Sequence, residues 1–241
     1  MENIQEQRSE KYRKFFCVPY LMGPNGVRLL DEMLDACPLK FTEDNTILDL
    51  GCGSGLTSLY LAFETGAKVY AADLWIPEAE NRKRIEEWGM PDKIIPVQAD
   101  ANDLKFDTEA FDAVVSVDSY HYFGTGEGYF TEKVLPLIKK GGTALICVPG
   151  IKGKYSGRSQ AYLGSWLGDE AELFRSADEW KQIIGKDRDI ESVKTWELFG
   201  LYTPWQEWFD TLHGYALKDK QFYDTVIRPF TCFVGIIVKK I

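Results

Sequence analysis

The chain has 241 residues, of which 45% are hydrophobic and 27% are charged, and its formal net charge is −9. This length is enough for one α/β domain with a buried sheet, and the excess of acidic residues argues against a nucleic-acid partner, which normally requires a basic surface. The polar start of the chain and the lack of a long apolar run predict neither a leader peptide nor a membrane span. Five scattered cysteines without the spacing of a zinc site indicate reduced thiols. We therefore expect a cytoplasmic protein without a bound metal.

Two helices are predicted before the first strand. Residues 3–16 have helical spacing and bring Tyr12 close to two phenylalanines. A helix that packs against the rest of the protein is enough to explain this pattern. The run 25–36 is amphipathic, with Asn25 in position to cap it and Pro38 after its end.

A strand, a glycine-rich turn and a helix then follow one another. The run 46–50 is apolar, glycines alternate at Gly51, Gly53 and Gly55, and the pattern of 58–62 indicates a helix. Glycine suits a sharp turn that lies close to a ligand, and the N-terminus of the helix offers unpaired N–H groups. This order predicts the first βα unit of a nucleotide-binding sheet. A purely structural turn stays open as the alternative.

The spacing of this motif differs from that of a dinucleotide fingerprint. In the pattern G-x-G-x-x-G the third glycine would stand one residue later, whereas this chain has Gly55 followed by Leu56. Asp49, two residues before the first glycine, would repel a pyrophosphate but could hold an ammonium group. The acid and the spacing together argue against a dinucleotide site.

Acidic residues also follow the next strands. The strand 68–73 ends in Asp73, about twenty residues beyond the glycines, where a carboxylate could accept hydrogen bonds from two ribose hydroxyls. A helix N-cap is the alternative role for this residue. The strand 94–98 is followed by Asp100, and the apolar strand 111–118 is expected to be buried on both faces of a parallel sheet.

The second half of the chain is rich in aromatic residues and glycines. An aromatic loop at 119–123 follows the fourth strand, and a helix at 127–139, interrupted by Pro136, leads to a fifth strand at 143–148. The glycine-dense stretch 149–168 predicts an irregular, mobile segment, and Ser176 begins the pattern of a capping box. The remaining predicted elements are a sixth strand at 190–199, an aromatic helix capped by Thr203, and a last strand at 231–238.

Four motifs, each at the carboxyl end of a predicted strand, resemble those of the class I S-adenosylmethionine-dependent methyltransferases, in particular a small bacterial-type branch of mostly unassigned substrate. The motifs are Asp49–Gly55, Ala72–Trp75, Gln98–Ala101 and Val117–Gly124. The resemblance implies an α/β, Rossmann-like fold with a seven-stranded sheet, helices on both faces and an antiparallel last strand. It also implies one domain over 1–241, with residues 1–24 as a lid and 150–180 as a cap inserted after the fifth strand.

The same resemblance assigns a cofactor and its site. The cofactor would be S-adenosylmethionine, with S-adenosylhomocysteine as the product. The ribose would lie on Asp73, and the adenine would lie beside Leu74, Trp75 and Asp100. The full set of expected cofactor-binding residues is Asp49, Gly51, Gly53, Gly55, Asp73, Leu74, Trp75, Asp100, Ala101 and Asp118.

Methyl transfer requires little from a protein beyond aligning the acceptor with the carbon–sulfur bond, because the sulfonium makes its methyl group electrophilic. His121 in the aromatic loop is the candidate base, since an imidazole accepts a proton near neutral pH. A packing role is the alternative for His121, and His213 is expected at the surface or at a helix cap. The expected walls of a small-molecule pocket are Tyr12, Tyr20, Tyr122 and Trp166.

The sequence therefore predicts an enzyme that transfers a methyl group from S-adenosylmethionine to a small-molecule acceptor. Two alternatives stay open. One is a non-catalytic module that binds the same cofactor and regulates a partner, and the other is an NAD-dependent oxidoreductase. The polar groups of the loop 119–123 favour the enzyme, because a pure binding module needs no polar group beside the sulfur.

Overall fold

A sheet of seven strands forms the centre of the computed structural model, which describes residues 8–198 and 202–241. The strands are β1 (Thr46–Leu50), β2 (Lys68–Asp73), β3 (Ile94–Gln98), β4 (Phe111–Val117), β5 (Ile138–Ile151), β6 (Ile190–Glu197) and β7 (Thr231–Lys240). Their order across the sheet is β3-β2-β1-β4-β5-β7-β6. The first five strands pair in parallel, whereas β7 runs antiparallel to both β5 and β6. The predicted fold class, with its antiparallel last strand, is confirmed.

Helices cover both faces of this sheet. They are α1 (Gly26–Ala36), α2 (Leu56–Thr65), α3 (Glu78–Glu87), α4 (Ser159–Leu167), α5 (Ala177–Ile184), α6 (Tyr202–Asp210) and α7 (Gly214–Phe222). One core contains Leu30 of α1, Leu61 of α2 and Trp208 of α6, and a second core contains Phe130 and Trp180. Because apolar side chains leave the sheet in both directions, its central strands are almost continuously hydrophobic. Within the described ranges, no helix is long and apolar enough to cross a membrane.

Two helix starts follow the predicted capping signals. The side chain of Asn25 accepts a hydrogen bond from the Val27 N–H at 3.0 Å, and α1 begins directly after it. Ser176 and Glu179 form a complete capping box at the start of α5. Each cap satisfies N–H groups that the helix itself leaves unpaired.

The predicted helix at 127–139 and the predicted bounds of the fifth strand are wrong. A π-helical turn at Phe130–Val134 and a 3-10 turn at Leu135–Leu137 stand in place of a regular α-helix. Pro136 has no N–H to continue an α-helical ladder, which accounts for the change. β5 is longer than predicted because it pairs with Phe111 at its start and with β7 as far as Ile151.

Two further predictions change in detail. α6 begins at Tyr202, so Thr203 lies inside the helix rather than at its cap. The stretch 149–168 is more regular than predicted, because it contains the end of β5, a 3-10 turn and α4. Parts of the predicted first helix and of the sixth strand, residues 3–7 and 199, lie outside the described residues.

Candidate active site

Two adjoining cavities open at the edge of the sheet where the parallel strands end. The first, of about 360 Å³, is named the strand-end cavity and is lined by the glycine loop 51–54 and by residues after β2, β3 and β4. The second, of about 820 Å³, is named the aromatic cavity and is lined by side chains from the segment before α1, from α4, from α6 and from α7. Residues 21–24, Trp75, Asp118 and Tyr122 line both cavities. A ligand in one cavity can therefore contact a ligand in the other.

Most residues predicted to bind the cofactor line the strand-end cavity. They are Gly51, Gly53, Asp73, Leu74, Trp75, Asp100, Ala101 and Asp118. The wall thus carries three carboxylates, and no lysine, arginine or histidine among the described residues lines it. A phosphate in this cavity would have no basic side chain as a partner, whereas a cationic ligand would meet acids.

The glycines of the loop after β1 are required by the backbone and by a neighbouring residue. Gly51 and Gly53 have φ angles of 77° and 53°, in the left-handed region that favours glycine. A Cβ on Gly51 would lie 2.3 Å from the Oγ of Ser119. Ser119 donates a hydrogen bond to the Leu50 carbonyl at 3.1 Å. The loop after β4 is therefore fixed against the loop after β1.

Asp73 organises two backbone segments at the cavity wall. Its Oδ2 accepts a hydrogen bond from the Gly53 N–H at 2.9 Å. Its Oδ1 accepts hydrogen bonds from the N–H groups of Trp75 at 2.8 Å and of Ile76 at 2.9 Å. The structure thus shows a turn-capping role for this carboxylate, which at the same time lines the strand-end cavity. Because Oδ2 accepts one protein hydrogen bond, it retains a lone pair for another donor.

Asp49 and Gly55 do not line the cavity, which corrects their predicted roles. Asp49 is 1% exposed, and its Oδ2 accepts hydrogen bonds from Thr57 Oγ1 at 2.7 Å and Ser58 Oγ at 2.6 Å. Burial raises the pKa of Asp49 to about 6. The carboxyl group therefore holds the first turn of α2 from behind the loop. Gly55, with a φ of 83°, is the N-cap residue of α2.

Asp118 lies at the junction of the two cavities. Its φ of 56° is in the left-handed region, which Asp and Asn adopt more readily than other residues with a side chain. A Cβ added to Gly23 would lie 2.6 Å from Asp118 Oδ2, so only glycine leaves room for the carboxylate. Burial and, to a smaller extent, the negative charge of Asp219 raise the pKa of Asp118 to about 7. Near neutral pH this carboxyl group can both take up and release a proton.

The wall of the aromatic cavity comes from segments that are distant in sequence. Trp166 of α4, Phe174 of the turn after it, and Trp205 and Trp208 of α6 all line it. Asp219 of α7 also lines the cavity and accepts hydrogen bonds from the Nε1–H groups of Trp166 and Trp208, each at 2.9 Å. Two indoles therefore hold one carboxylate in place on an apolar wall.

His121 lines the aromatic cavity but has little access to water. It is 3% exposed, and the centroid of its ring is 4.0 Å from that of Tyr122. Burial lowers the pKa of His121 to about 3, so the imidazole is neutral at physiological pH and is a weak proton acceptor. Its Nδ1 has no hydrogen-bond partner within the described residues. His213 is the N-cap residue of α7, as its sequence context predicts.

The residues predicted to form the walls of the acceptor pocket lie in different places. Tyr12 lines neither cavity, so its predicted place is wrong: its hydroxyl donates to Glu64 Oε1 at 2.9 Å, and its ring packs edge-on against Tyr60. Tyr20 lines the strand-end cavity rather than the aromatic one. Tyr122 lines both cavities, and Trp166 lines the aromatic cavity as predicted.

Several wall residues were not predicted. Asn102 lines the strand-end cavity and donates its backbone N–H to Asp100 Oδ1 at 2.8 Å. Its position directly after the third strand was a usable signal. Asp219 lies in a polar helix where nothing local distinguishes it from a solvated residue. In the part of the chain that the structure describes, no group of three or more His, Cys, Asp or Glu could hold a metal ion.

Residues 47–142 match the model of a family described as a methyltransferase domain. Among curated proteins, Methyltransferase GfsG of Streptomyces halstedii is 30% identical over 95 residues, which are 39% of this chain and 34% of the relative. Cypemycin N-terminal methyltransferase of Streptomyces sp is 35% identical over 158 residues, which are 64% of this chain and 55% of the relative. The chain therefore spans about a third to about half of the length of these relatives.

The fold has a counterpart among solved structures. Geranyl diphosphate C-methyltransferase from Streptomyces coelicolor A3(2), solved with Mg²⁺, geranyl diphosphate and S-adenosyl-L-homocysteine, superposes with a TM-score of 0.69. The match covers 98% of both chains at 15% sequence identity. At this identity the likeness shows a common fold.

Proposed function

We propose that the chain is a class I methyltransferase that transfers a methyl group from S-adenosylmethionine to a small-molecule acceptor. The match of residues 47–142 to a methyltransferase-domain model and the Rossmann-like fold support this proposal. The observation that carries the proposal is the pair of adjoining cavities. One is lined by the glycine loop and by the acids that follow the strands, and the other is lined by aromatic side chains. Their common residues, among them Asp118 and Tyr122, mark the place where a donor and an acceptor would meet.

The residues of the strand-end cavity fit this cofactor better than a dinucleotide. The ligand is a nucleoside with an ammonium group and no phosphate, and the described wall has three acids and no basic side chain. NAD carries a pyrophosphate, which would meet this acidic wall without a basic partner. These charges favour the methyltransferase over the oxidoreductase.

In the proposed complex the bound cofactor supplies an electrophilic methyl group on a sulfonium sulfur. Asp73 accepts a hydrogen bond from a ribose hydroxyl with the lone pair that remains on Oδ2. Asp100 and the backbone of Ala101 hold the adenine, with Trp75 beside it. Asp118 and Tyr122 border the reacting groups. The contribution of the protein is to align the acceptor with the methyl group, which lowers the entropic part of the barrier.

The relative from Streptomyces sp is an N-terminal methyltransferase, and the structural counterpart is a C-methyltransferase. Their names therefore do not select one acceptor for this chain. We propose a small molecule because the aromatic cavity is concave and mostly apolar, as small-molecule pockets usually are. The net charge of −9 disfavours a nucleic-acid acceptor.

The experiment that tests the proposal is calorimetric titration with S-adenosylhomocysteine and, separately, with NAD. We expect the first to bind and the second not to bind. Gly53→Val should abolish binding of S-adenosylhomocysteine, because the loop backbone there has a positive φ and must approach the ligand. Gly126→Val is the matched control, since a Cβ at Gly126 would have no atom within 4 Å.

Turnover separates the enzyme from the regulatory module. The chain is incubated with S-adenosylmethionine labelled on its methyl group and with amine, alcohol, thiol and carboxylate acceptors. Labelled product and S-adenosylhomocysteine in equal amounts would support the enzyme. Binding of the cofactor without transfer to any class would support the regulatory module, and binding of NAD alone would support the oxidoreductase.

We also propose that residues 1–24 act as a lid and that 150–180 act as a cap, within one cytoplasmic domain that spans 1–241. The cap is supported by the side chains that Trp166, Glu170 and Phe174 contribute to the aromatic cavity. A cytoplasmic location is supported by the five cysteines, which are all free thiols.

A further inference from the structure

The carboxylate of Asp219 is held in the wall of the aromatic cavity by two indole N–H groups. Trp166 Nε1 donates to one of its oxygens and Trp208 Nε1 to the other, each at 2.9 Å. Both indole rings also line the cavity. A carboxylate fixed by two donors keeps its remaining lone pairs in one place, where they can accept hydrogen bonds from a ligand.

A second carboxylate, Asp118, lines the same cavity at its junction with the strand-end cavity. The two acids are close enough for the charge of Asp219 to help raise the pKa of Asp118. Within the described residues, the side chain of Asp118 makes no hydrogen bond or ion pair with the protein. Its charge is therefore available to a ligand at the place where the methyl group is transferred.

The cations around this cavity do not neutralise the pair of acids. Lys218 lines the cavity with an exposed side chain, and so does the acidic Glu170. The guanidinium of Arg84 is engaged by Glu80 Oε2 at 3.2 Å and Asn81 Oδ1 at 2.8 Å. The two histidines of the wall are His121, whose imidazole is neutral, and His213, which caps α7. The interior of the cavity is thus acidic.

The remaining wall is aromatic and has one unsatisfied polar group. Indole and phenyl faces attract organic cations through their quadrupoles and give apolar contact to the body of a ligand. His121 is 3% exposed, lines this cavity, and has an Nδ1 without a hydrogen-bond partner in the described part of the chain. The described carboxylates do not form a group that could hold a metal ion. This arrangement suits an organic cation.

We propose that the acceptor is a small organic amine with an apolar body, held in the aromatic cavity with its nitrogen between Asp118 and Asp219. This inference rests on the proposed methyltransferase function and adds the chemical class of the acceptor. Trp166, Trp205 and Trp208 contact the apolar body. Asp219 binds the ammonium group, and Asp118 takes its proton.

The chemical step is balanced without another reactant. The ammonium group R–NH₃⁺ gives one proton to the carboxylate of Asp118 and becomes the neutral amine. The nitrogen lone pair forms a bond to the methyl carbon, the carbon–sulfur bond breaks, and its electron pair stays on the sulfur as a neutral thioether. The product R–NH₂⁺–CH₃ carries the positive charge that the sulfonium loses, and Asp118 later releases its proton to water.

The test compares three ligands that differ only in their polar end: 2-phenylethylamine, 2-phenylethanol and phenylacetate. Each is titrated by calorimetry into the chain saturated with S-adenosylhomocysteine, so that no turnover occurs. We expect the amine to bind at least roughly tenfold more tightly than the alcohol, and the carboxylate to bind least, because two acids face the polar end. Equal or tighter binding of the alcohol or the carboxylate overturns the inference, and so does binding of none of the three.

Variants connect this preference to the proposed residues. Asp118→Asn keeps the left-handed backbone, and Asp219→Asn keeps an acceptor for one indole, while each removes one charge. Each variant should lose most of the preference for the amine over the alcohol. Asp210→Asn is the matched control, because Asp210 ends α6, is exposed and lines neither cavity. A preference that survives both cavity variants overturns the assignment.

Failure of the inference is distinguishable from failure of the proposed function. If S-adenosylhomocysteine does not bind, the cofactor proposal fails. S-adenosylhomocysteine could instead bind, with the labelled methyl group appearing on alcohol, thiol or carboxylate acceptors but not on amines. That result would support the methyltransferase function and reject the amine as its acceptor. Mass spectrometry of 2-phenylethylamine after incubation with S-adenosylmethionine should show a gain of one methyl group.

Discussion

At the scale of single residues, Asp73 connects the glycine loop to the turn after β2. Three backbone N–H groups donate to its carboxylate, at 2.8 to 2.9 Å. We expect Asp73→Ala to weaken the binding of S-adenosylhomocysteine by about 2–4 kcal/mol, because it removes charge-assisted hydrogen bonds to the ribose. Calorimetry measures the affinity, and circular dichroism shows whether the variant is folded.

Asp103→Ala is the control for this variant. Asp103 also follows β3 closely, but its side chain is 69% exposed and pairs with Lys105. The affinity of the Asp103→Ala variant for S-adenosylhomocysteine should equal that of the unchanged chain. A folded Asp73→Ala protein with unchanged affinity would show that the carboxylate only caps the turn.

The raised pKa of Asp118 predicts how turnover depends on pH. Its carboxyl group is protonated below about pH 7 and ionised above it, and only the ionised form can take a proton from an ammonium group. Turnover of an amine acceptor should therefore fall on acidification below pH 7 and reach a plateau above it. Asp118→Asn should lower turnover by roughly 10²–10⁴-fold and remove this dependence.

His121→Ala provides the comparison, because the pKa of His121 of about 3 leaves that imidazole neutral across the same range. If His121 were the base, its removal rather than that of Asp118 would eliminate the pH dependence. Affinity for S-adenosylhomocysteine, measured in parallel, separates an effect on chemistry from an effect on the cofactor site.

The raised pKa of Asp118 also predicts how the stability of the protein changes with pH. The folded pKa of Asp118, about 7, lies above its unfolded value of about 3.9, so the folded state binds the proton more strongly. This residue therefore lowers the free energy of unfolding progressively as the pH rises from about 4 to 7. Asp118→Asn should raise the melting temperature at pH 8 and change it little at pH 4. An equal change at both pH values would contradict a raised pKa for this carboxyl group.

At the scale of elements, the loops after β1 and β4 depend on each other. Gly51→Ala would place its Cβ 2.3 Å from Ser119 Oγ in a backbone with a φ of 77°. We expect a loss of unfolding free energy of at least about 1–3 kcal/mol and weaker cofactor binding. Adding Ser119→Gly removes the clash and should restore part of the unfolding free energy and part of the cofactor affinity. Gly126→Ala is the control, because its Cβ would have no atom within 4 Å, and it should change neither the unfolding free energy nor the cofactor affinity.

The cap at 150–180 contributes Trp166 and Phe174 to the aromatic cavity. Its inner part is packed, since Leu163 and Ala171 are fully buried and Ser159 Oγ donates to the Phe174 carbonyl. We expect limited proteolysis to begin in the exposed stretch 152–158, before the sheet is cut. S-adenosylhomocysteine with 2-phenylethylamine should slow this cleavage. Equal rates with and without ligands would indicate a static insertion.

At the scale of the whole molecule, a buried ion pair joins the N-terminal and C-terminal parts of the chain. Arg28 Nη2 lies 2.6 Å from Glu207 Oε1, and the two side chains are 8% and 9% exposed. Asn25 Nδ2 donates to the other oxygen of Glu207, at 2.6 Å. This network ties α1 to α6, the helix that carries Trp205 and Trp208.

Arg28→Met should lower the free energy of unfolding by about 3–5 kcal/mol, because it leaves the charge of Glu207 buried without its partner. The double variant Arg28→Met with Glu207→Leu should recover most of that loss. Arg82→Met is the control: its pair with Glu78 is about half exposed and should contribute about 0–1 kcal/mol. Chemical denaturation measures all three, and a small effect of Arg28→Met would show that solvent reaches Glu207.

The elements whose signals are local could be predicted from the sequence. Alternating glycines between an apolar strand and a helix specify a turn with positive φ angles, and acids directly after parallel strands must meet at one edge of the sheet. Eight of the ten predicted cofactor residues therefore line the strand-end cavity. The helix N-cap residues Asn25 and Ser176 were predictable for the same reason, since an N-cap side chain contacts only the first turn of its own helix.

Which side chains face the cavities could not be predicted, because it depends on packing between distant segments. Asp49 precedes the glycines, yet the hydroxyls of α2 draw its carboxylate behind the loop. Tyr12 is an aromatic residue near the predicted lid, yet its hydroxyl is bonded to Glu64, 52 residues away. Asp219 meets Trp166 across 53 residues, and no periodicity within α7 encodes that contact. Packing brings distant segments together, and burial by those segments then sets the pKa values of Asp118 and His121.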